Sequence, residues 1–123
     1  AAWADHDAVP RVTFTDPQVA AVGLTAAAAR DRGMRVRVAD HPTGDVAGAR
    51  LYGEDQAGTA RLVVDADAGV VVGVTITGHE VAELLHAGTV AVAGRVPVAR
   101  LAHAVPAFPT RSEVWLRLVE ALE

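Results

Sequence analysis

The feature that most constrains the fold is a pair of β-branched runs joined by a short turn. Residues 60–65 and 70–77 are rich in valine, isoleucine and threonine, and the four residues between the two runs end in Gly69. Two such runs separated by a short glycine-containing loop are typical of a β-hairpin. The sequence therefore predicts an antiparallel hairpin in the middle of the chain.

Two further strands, with a helix between them, are predicted before the hairpin. Residues 9–15 are rich in β-branched and aromatic side chains and end at an Asp-Pro pair, and residues 34–39 alternate in polarity. Thr25 is predicted to cap the intervening helix, and Gly33 is predicted to end it.

Glycine and proline mark the less regular parts of the chain. Residues 41–59 contain five of them and are predicted to form a loop. Residues 1–8 show no periodicity, so we interpret them as a linker or an expression remnant. Residues 9–123 are then expected to form one domain, since a chain of this length supports a single core.

Helical spacing dominates the C-terminal part. Apolar residues recur from Val81 to Val92 at intervals of three and four, and Gly94 is predicted to end this helix. A short helical piece follows, after which two prolines require an extended chain over 105–110. Ser112 is predicted to cap a last amphipathic helix. The order of elements predicts an α+β fold, an antiparallel β-sheet with helices packed on it.

Composition excludes several classes of function. The chain has no cysteine, which excludes disulfides, zinc-thiolate sites and thiol chemistry within it. All eleven basic residues are arginine, so Schiff-base chemistry and a P-loop lysine are absent as well. The net charge of −4 argues against a nucleic-acid partner. No apolar run is long enough to span a membrane, and we expect a cytoplasmic protein without a membrane partner.

The side chains that could carry chemistry do not form a complete motif. His79 begins a segment similar to a zinc-protease helix, but Glu83 occupies the position where that motif needs its second histidine. Glu83 and His86 have the spacing of a di-metal bundle without the required second copy, so no metal site is expected. A solvated or capping role is favoured for His103 and Ser112 over general-base or nucleophile roles. No glycines are spaced as G-x-G, which excludes a dinucleotide fingerprint.

Several separated segments agree in order and spacing with one known domain. They are residues 9–25, 60–65, 72–78, 83–85 and 108–113. Together they resemble the C-terminal dimerisation domain of the FAD-dependent pyridine nucleotide-disulfide oxidoreductases. That family includes dihydrolipoamide dehydrogenase, glutathione reductase and mercuric reductase.

This resemblance implies that the chain is about the last quarter of a longer enzyme. The FAD and NAD(P)H domains would lie upstream in the same chain, and the 123 residues alone would bind no cofactor and show no turnover. In the family, this domain pairs two subunits into a homodimer, and its C-terminal motif reaches the flavin of the other subunit. We expect the pairing face on the helix of residues 78–94, around Leu84 and Leu85.

The resemblance also singles out residues 108–113. The usual family motif there is His-Pro-Thr-x-Ser-Glu, in which the histidine shuttles protons and the glutamate orients it. Here Phe108 replaces the histidine, whereas Pro109, Thr110, Ser112 and Glu113 match. Because a phenyl ring cannot move protons, a structural cap of the last helix is favoured over a catalytic role for Glu113. By analogy, Phe108 and Pro109 are the cofactor-binding candidates, facing the partner's flavin.

The missing histidine bears on the reaction of the whole enzyme. Our main interpretation is hydride transfer from NAD(P)H through FAD to a non-disulfide acceptor, such as a quinone or a nicotinamide. One alternative is a disulfide reductase similar to dihydrolipoamide dehydrogenase or mercuric reductase. Another is a free-standing small binding domain that uses His79, Glu83 and His86.

Overall fold

The computed structural model describes residues 6–53 and 57–123. Its centre is a five-stranded sheet in the spatial order β1-β2-β5-β4-β3, in which every neighbouring pair is antiparallel. The strands are β1 (Arg11–Thr13), β2 (Gln18–Gly23), β3 (Val36–Pro42), β4 (Thr59–Asp65) and β5 (Val70–Gly78).

The predicted hairpin is confirmed as β4 and β5. Asp65 faces Val70 across the turn, and the Asp65 carboxylate accepts the backbone N–H groups of Asp67 and Ala68. Gly69 has φ +68°, a left-handed conformation that glycine adopts at little cost. Because β5 pairs with both β2 and β4, the hairpin organises the whole sheet.

The strand prediction before the hairpin was incomplete. Residues 9–15 contain only the short β1, and β2 follows it as a separate strand that the sequence did not reveal. The middle of β2 is alanine, which has little intrinsic strand preference, yet β2 pairs with β5 along its whole length. β3 likewise runs on to Pro42, beyond the predicted end, because β4 pairs with it there. Pairing between distant segments therefore decided both strands.

Five α-helices accompany the sheet in the described residues. They are α1 (Ala26–Asp31), α2 (Ala47–Arg50), α3 (Ala82–Ala93), α4 (Val98–Leu101) and α5 (Glu113–Glu120). The predicted start of α1 at Thr25 and the predicted ends of α1 at Gly33 and of α3 at Gly94 are confirmed. The Ala28 N–H donates to Thr25 Oγ1 at 3.0 Å. The short α2 lies in the stretch predicted as a loop. Ser112 occupies the N-terminal cap position of α5 as predicted, but its side chain makes no capping hydrogen bond there.

One face of the sheet carries the main core. Side chains of β2, β4 and β5 pack there against α3 and α5, with Leu62, Ile76 and Leu118 fully buried. Gly88 lets α3 lie close to the sheet, since a Cβ there would stand 3.0 Å from both Trp115 Cη2 and Val74 Cγ2. On the opposite face, α1 covers only part of the sheet, around Val63.

Burial corrects the expected pairing face. Leu84 and Leu85 are 8% and 2% exposed and belong to the core of the chain itself, so they are not surface residues of α3. The helical spacing of these leucines reflects packing on the sheet rather than contact with a second subunit.

Part of the predicted linker lies outside the described residues, namely 1–5. In the part that is described, His6–Ala8 form a 3₁₀ turn, and the Ala8 side chain is buried in the main core. Among the described residues, the core therefore includes Ala8, one position before the predicted start of the domain. None of the described helices is both long and apolar enough to cross a bilayer.

Candidate functional site

The motif at 108–113 follows α4 and runs into α5, whose first residue is Glu113. Residues 105–110 are outside any helix, as the prolines predicted. Phe108 is 76% exposed and Pro109 is also exposed, so the two cofactor-binding candidates lie on the surface. Val105 adds a third exposed apolar side chain to this segment. Neighbouring exposed apolar side chains of this kind mark surfaces that contact another group.

Glu113 joins this segment to α2. Its Oε2 accepts the backbone N–H of Thr110 and the backbone N–H of Gly48, both at 3.2 Å. Gly48 is in the first turn of α2, where a backbone N–H has no partner within the helix. The carboxylate therefore satisfies one donor at the start of α2 and one in the turn that leads into α5.

The contact between Glu113 and Thr110 has a sequence signal. Thr110 and Glu113 have the spacing of a capping box, in which a glutamate accepts the N–H of the residue three positions before it. Only that half of the box forms, because Thr110 Oγ1 donates instead to the carbonyl of Ala107 at 2.5 Å. The signal therefore marks Thr110, rather than Ser112, as the residue where the turn into α5 begins.

Gly48 brings two backbones into direct contact. A Cβ at this position would lie 2.0 Å from the carbonyl carbon of Thr110, which no side chain tolerates. Glycine is thus required by the close approach of α2 to the motif. The sequence contains Gly48 only as one of several loop glycines, and nothing in the local pattern distinguishes it.

Arg111 forms a second connection from the motif. Its Nη1 donates to the Glu80 carbonyl at 3.3 Å, and its Nη2 donates to the His79 carbonyl. The guanidinium also lies 5.6 Å from the centre of the Tyr52 ring, within the range of a cation–π contact. Arg111 thereby links the motif to the turn between β5 and α3 and to the residues after α2. Sequence analysis missed this role, since an arginine carries no signal for carbonyl partners remote in the chain.

A groove of about 270 Å³, open to solvent, lies beside these contacts. Its apolar part is formed by Leu51, Tyr52, Leu84 and Pro109, and carboxylates of the neighbouring turn and helix, Glu80 and Glu83, contribute to its lining. The groove offers an apolar surface beside Phe108, and its described lining includes the hydroxyl side chains of Thr110 and Ser112 but no histidine.

The other candidate side chains are not brought together. His79 Nε2 is 3.7 Å from a carboxylate oxygen of Glu80, whereas Glu83, His86 and His103 are exposed and form no ion pair with another described residue. Within residues 6–53 and 57–123, no group of three or more histidine, aspartate or glutamate side chains is placed to hold a metal ion.

The family comparison agrees with this architecture. The model of the "Pyridine nucleotide-disulphide oxidoreductase, dimerisation domain" family matches residues 9–119. The chain therefore belongs to the dimerisation-domain family of the pyridine nucleotide-disulfide oxidoreductases, and both the resemblance and the fold that it implied are confirmed.

The similar proteins are longer than this chain. The chain is 42% identical over 110 residues to dihydrolipoyl dehydrogenase of Mycobacterium tuberculosis, and the aligned region covers 89% of this chain and 23% of that protein. It is 39% identical over 84 residues to mycothione reductase of the same species, covering 66% of this chain and 17% of the relative. The chain thus spans about a quarter or less of the length of these relatives.

Solved structures share the fold. LpdA from Mycobacterium tuberculosis superposes with a TM-score of 0.87 at 25% identity, over 98% of this chain and 26% of that one. The Cu(II) complex of the HOCl-induced flavoprotein disulfide reductase RclA from Escherichia coli superposes with a TM-score of 0.86 at 22% identity, over 95% of this chain and 26% of that one. At that identity, the likeness to RclA concerns the fold alone.

Proposed function

We propose that this chain pairs two subunits of an FAD- and NAD(P)-dependent oxidoreductase and completes the flavin site of the partner subunit. The observation that carries the proposal is the exposed Phe108-Pro109 segment, held in a defined place on the family fold by Glu113 and Arg111. An exposed apolar segment in the family's motif position is suited to cover a planar ring system and to exclude water from it.

Phe108 and Pro109 fit one wall of a flavin site. The sequence contains no G-x-G, so the chain offers no phosphate-binding loop of the dinucleotide type. When bound, the flavin supplies hydride transfer, and the contribution of Phe108 and Pro109 is an apolar contact surface. This division of roles agrees with the proposal that FAD and NAD(P) bind to domains outside these 123 residues.

For the whole protein, we propose the reduction of a disulfide by NAD(P)H. The names of the relatives support it, since mycothione reductase is named for a reduction and dihydrolipoyl dehydrogenase for the oxidation of a dithiol, which is the reverse of the same exchange. Such an activity corresponds to the alternative of the sequence analysis, and the relatives favour it over a non-disulfide acceptor.

A second candidate rests on Phe108. A disulfide reductase of this family is expected to use a histidine there, and Glu113 in this chain accepts backbone N–H groups. The absence of a proton-transferring side chain at position 108 favours a quinone or a nicotinamide as acceptor, because neither requires a dithiol to be deprotonated at that position.

The first experiment is to determine the coding sequence upstream of residue 1. A continuous reading frame with two G-x-G-x-x-G motifs supports the flavoenzyme, and a Cys pair within it supports disulfide reduction over the second candidate. A start codon at residue 1 would contradict the proposal and favour a free-standing domain. The cytoplasmic location stays a prediction.

Self-association provides a second test on the chain itself. Sedimentation equilibrium over a wide concentration range is expected to show a dimer, since a subunit-pairing domain carries its own interface. A monomer at every concentration would contradict autonomous pairing by these residues.

A further inference from the structure

The segment that carries Phe108 has almost no backbone support of its own. In the described chain, residues 105–109 take part in no backbone–backbone hydrogen bond, and two of them are prolines without an N–H. Phe108 and Val105 are more than three-quarters exposed and only Pro106 is half-buried, so burial contributes little to holding Phe108 in place. Its position must therefore depend on the residues that follow it.

Glu113 holds the segment on the side of α2. Its Oε2 accepts both the Thr110 and the Gly48 N–H, so a single atom connects the motif to a helix far away in the sequence. Hydrogen bonds from N–H groups to a carboxylate are stronger than those between neutral groups. This contact is part-buried, and the lack of room for a Cβ at Gly48 keeps the two backbones together.

Arg111 holds the segment on the side of the sheet. Its guanidinium donates to the carbonyls of His79 and Glu80, which follow β5 and lead into α3, and it lies over the Tyr52 ring. An arginine meets this demand because its planar fork presents several donors at once, whereas a lysine offers a single ammonium group.

We infer that Glu113 and Arg111 are positioning residues that together form a clamp for Phe108 and Pro109. Glu113 attaches the motif to α2, and Arg111 attaches it to the turn between β5 and α3. The Glu113 carboxylate thus accepts hydrogen bonds from backbone N–H groups. In the usual family motif, the same carboxylate would orient a histidine at position 108. Only the identity of the group that Phe108 faces rests on the proposed function.

The experiment uses the 123-residue chain labelled with para-fluorophenylalanine. The sequence has two phenylalanines, Phe14 and Phe108, which are equally exposed, so fluorine NMR gives one signal from the site and one internal control. Phe14→Leu assigns the two signals. Amide NMR follows Gly48 and Thr110 in the same samples.

The clamp predicts a specific pattern across variants. In Glu113→Ala, the Gly48 and Thr110 amide signals move together and lose exchange protection, and the Phe108 fluorine signal shifts toward its unfolded position while Phe14 stays unchanged. Arg111→Ala is expected to shift Phe108 without loss of the Gly48 protection. Arg111→Lys restores little, because the fork is lost, and Ser112→Ala is the matched control without effect.

Two results would overturn the inference. Unchanged Gly48 and Thr110 amides in Glu113→Ala would show that the carboxylate contact is absent. Changed amides with an unchanged Phe108 signal would show that Glu113 stabilises α2 without positioning the motif. If Glu113→Ala unfolds, Glu113→Gln keeps the size and one acceptor oxygen, and a smaller shift of the same signals is expected. None of these readouts needs a flavin, so the clamp and the proposed function can fail separately.

Discussion

The sheet and the C-terminal motif are stabilised in different ways. The central strands β4 and β5 are paired on both sides and covered by α3 and α5, so many apolar contacts support each residue. In the C-terminal motif, Phe108 and Pro109 are exposed and depend on the two side chains of the clamp and on one glycine. A loss in the sheet is therefore expected to destabilise the whole domain, whereas a loss at the motif is expected to remain local.

The largest effect should follow truncation in the sheet. Leu62→Ala removes a side chain that is 0% exposed in β4, and we expect the free energy of unfolding to fall by about 2–5 kcal/mol. Leu51→Ala, at a position that is 73% exposed beside the groove, is the matched control and should change it by less than about 0.5 kcal/mol. Urea unfolding followed by circular dichroism measures both. Equal losses would remove the distinction between the two regions.

The next effect tests the close contact behind the motif. Gly48→Ala places a Cβ against the Thr110 backbone, so α2 and the motif must separate, at a cost of about 1–3 kcal/mol. Gly33→Ala is the control, because its φ of +83° strains the backbone but nothing lies within 4 Å of the added Cβ. Both variants should unfold at a lower urea concentration than the parent chain, and only Gly48→Ala should move the Phe108 fluorine signal. A Phe108 shift in Gly33→Ala would argue against local control of the motif.

A smaller effect separates two predicted helix caps. Thr25→Ala removes the acceptor of the Ala28 N–H and should cost about 1 kcal/mol. Ser112→Ala removes a hydroxyl that makes no capping bond and should change stability by less than about 0.5 kcal/mol. Thermal unfolding of the two variants side by side is the measurement. A larger loss in Ser112→Ala would restore the cap that the sequence predicted.

The smallest effect concerns an exposed pair on the sheet. Arg61 donates to both carboxylate oxygens of Asp40, at 2.7 and 2.8 Å, and these hydrogen bonds lower the pKa of Asp40 from its ordinary value. A carboxylate with a lowered pKa in the folded state adds stability at neutral pH, and this stability is lost as the pH falls through that lowered pKa. Because both side chains are about half exposed, we expect Asp40→Asn to cost less than about 1 kcal/mol at neutral pH. Unfolding curves of parent and variant should converge in acid, and a difference that persists there would exclude this origin.

Regular elements with a strong local pattern were predictable. The hairpin, α3 with its end at Gly94, and the Thr25 cap all follow from periodicity or from a single capping side chain. β2 was missed because its alanines favour no strand by themselves, and its pairing with β5 supplies what the local sequence lacks. The spacing of the α3 leucines predicted the helix correctly but their surroundings wrongly, since they are buried in the core of the chain. Periodicity indicates that a helix has an apolar face and does not indicate what covers that face.

The site was predictable in position and only partly in role. Residues 108–113 were singled out by resemblance, and Phe108 and Pro109 are exposed there. The partners of the motif were not predictable, since Gly48 and the carbonyls of His79 and Glu80 lie far from it in the chain. The spacing of Thr110 and Glu113 is a signal present in the sequence, and the bond it predicts forms, whereas Ser112, the predicted cap, makes no capping bond with its side chain.

The amino-acid sequence by itself determined the class of fold, the family and the absence of thiol and lysine chemistry within these residues. These properties depend on composition, local periodicity and short motifs, which are all encoded within a few neighbouring positions. The tertiary structure decided which strands complete the sheet, that Leu84 and Leu85 face the core, and where Glu113 and Arg111 find their partners. Such contacts join residues that are distant in the chain. Every residue except proline has the same backbone N–H and C=O groups, so the residue type does not indicate which backbone group will form such a hydrogen bond.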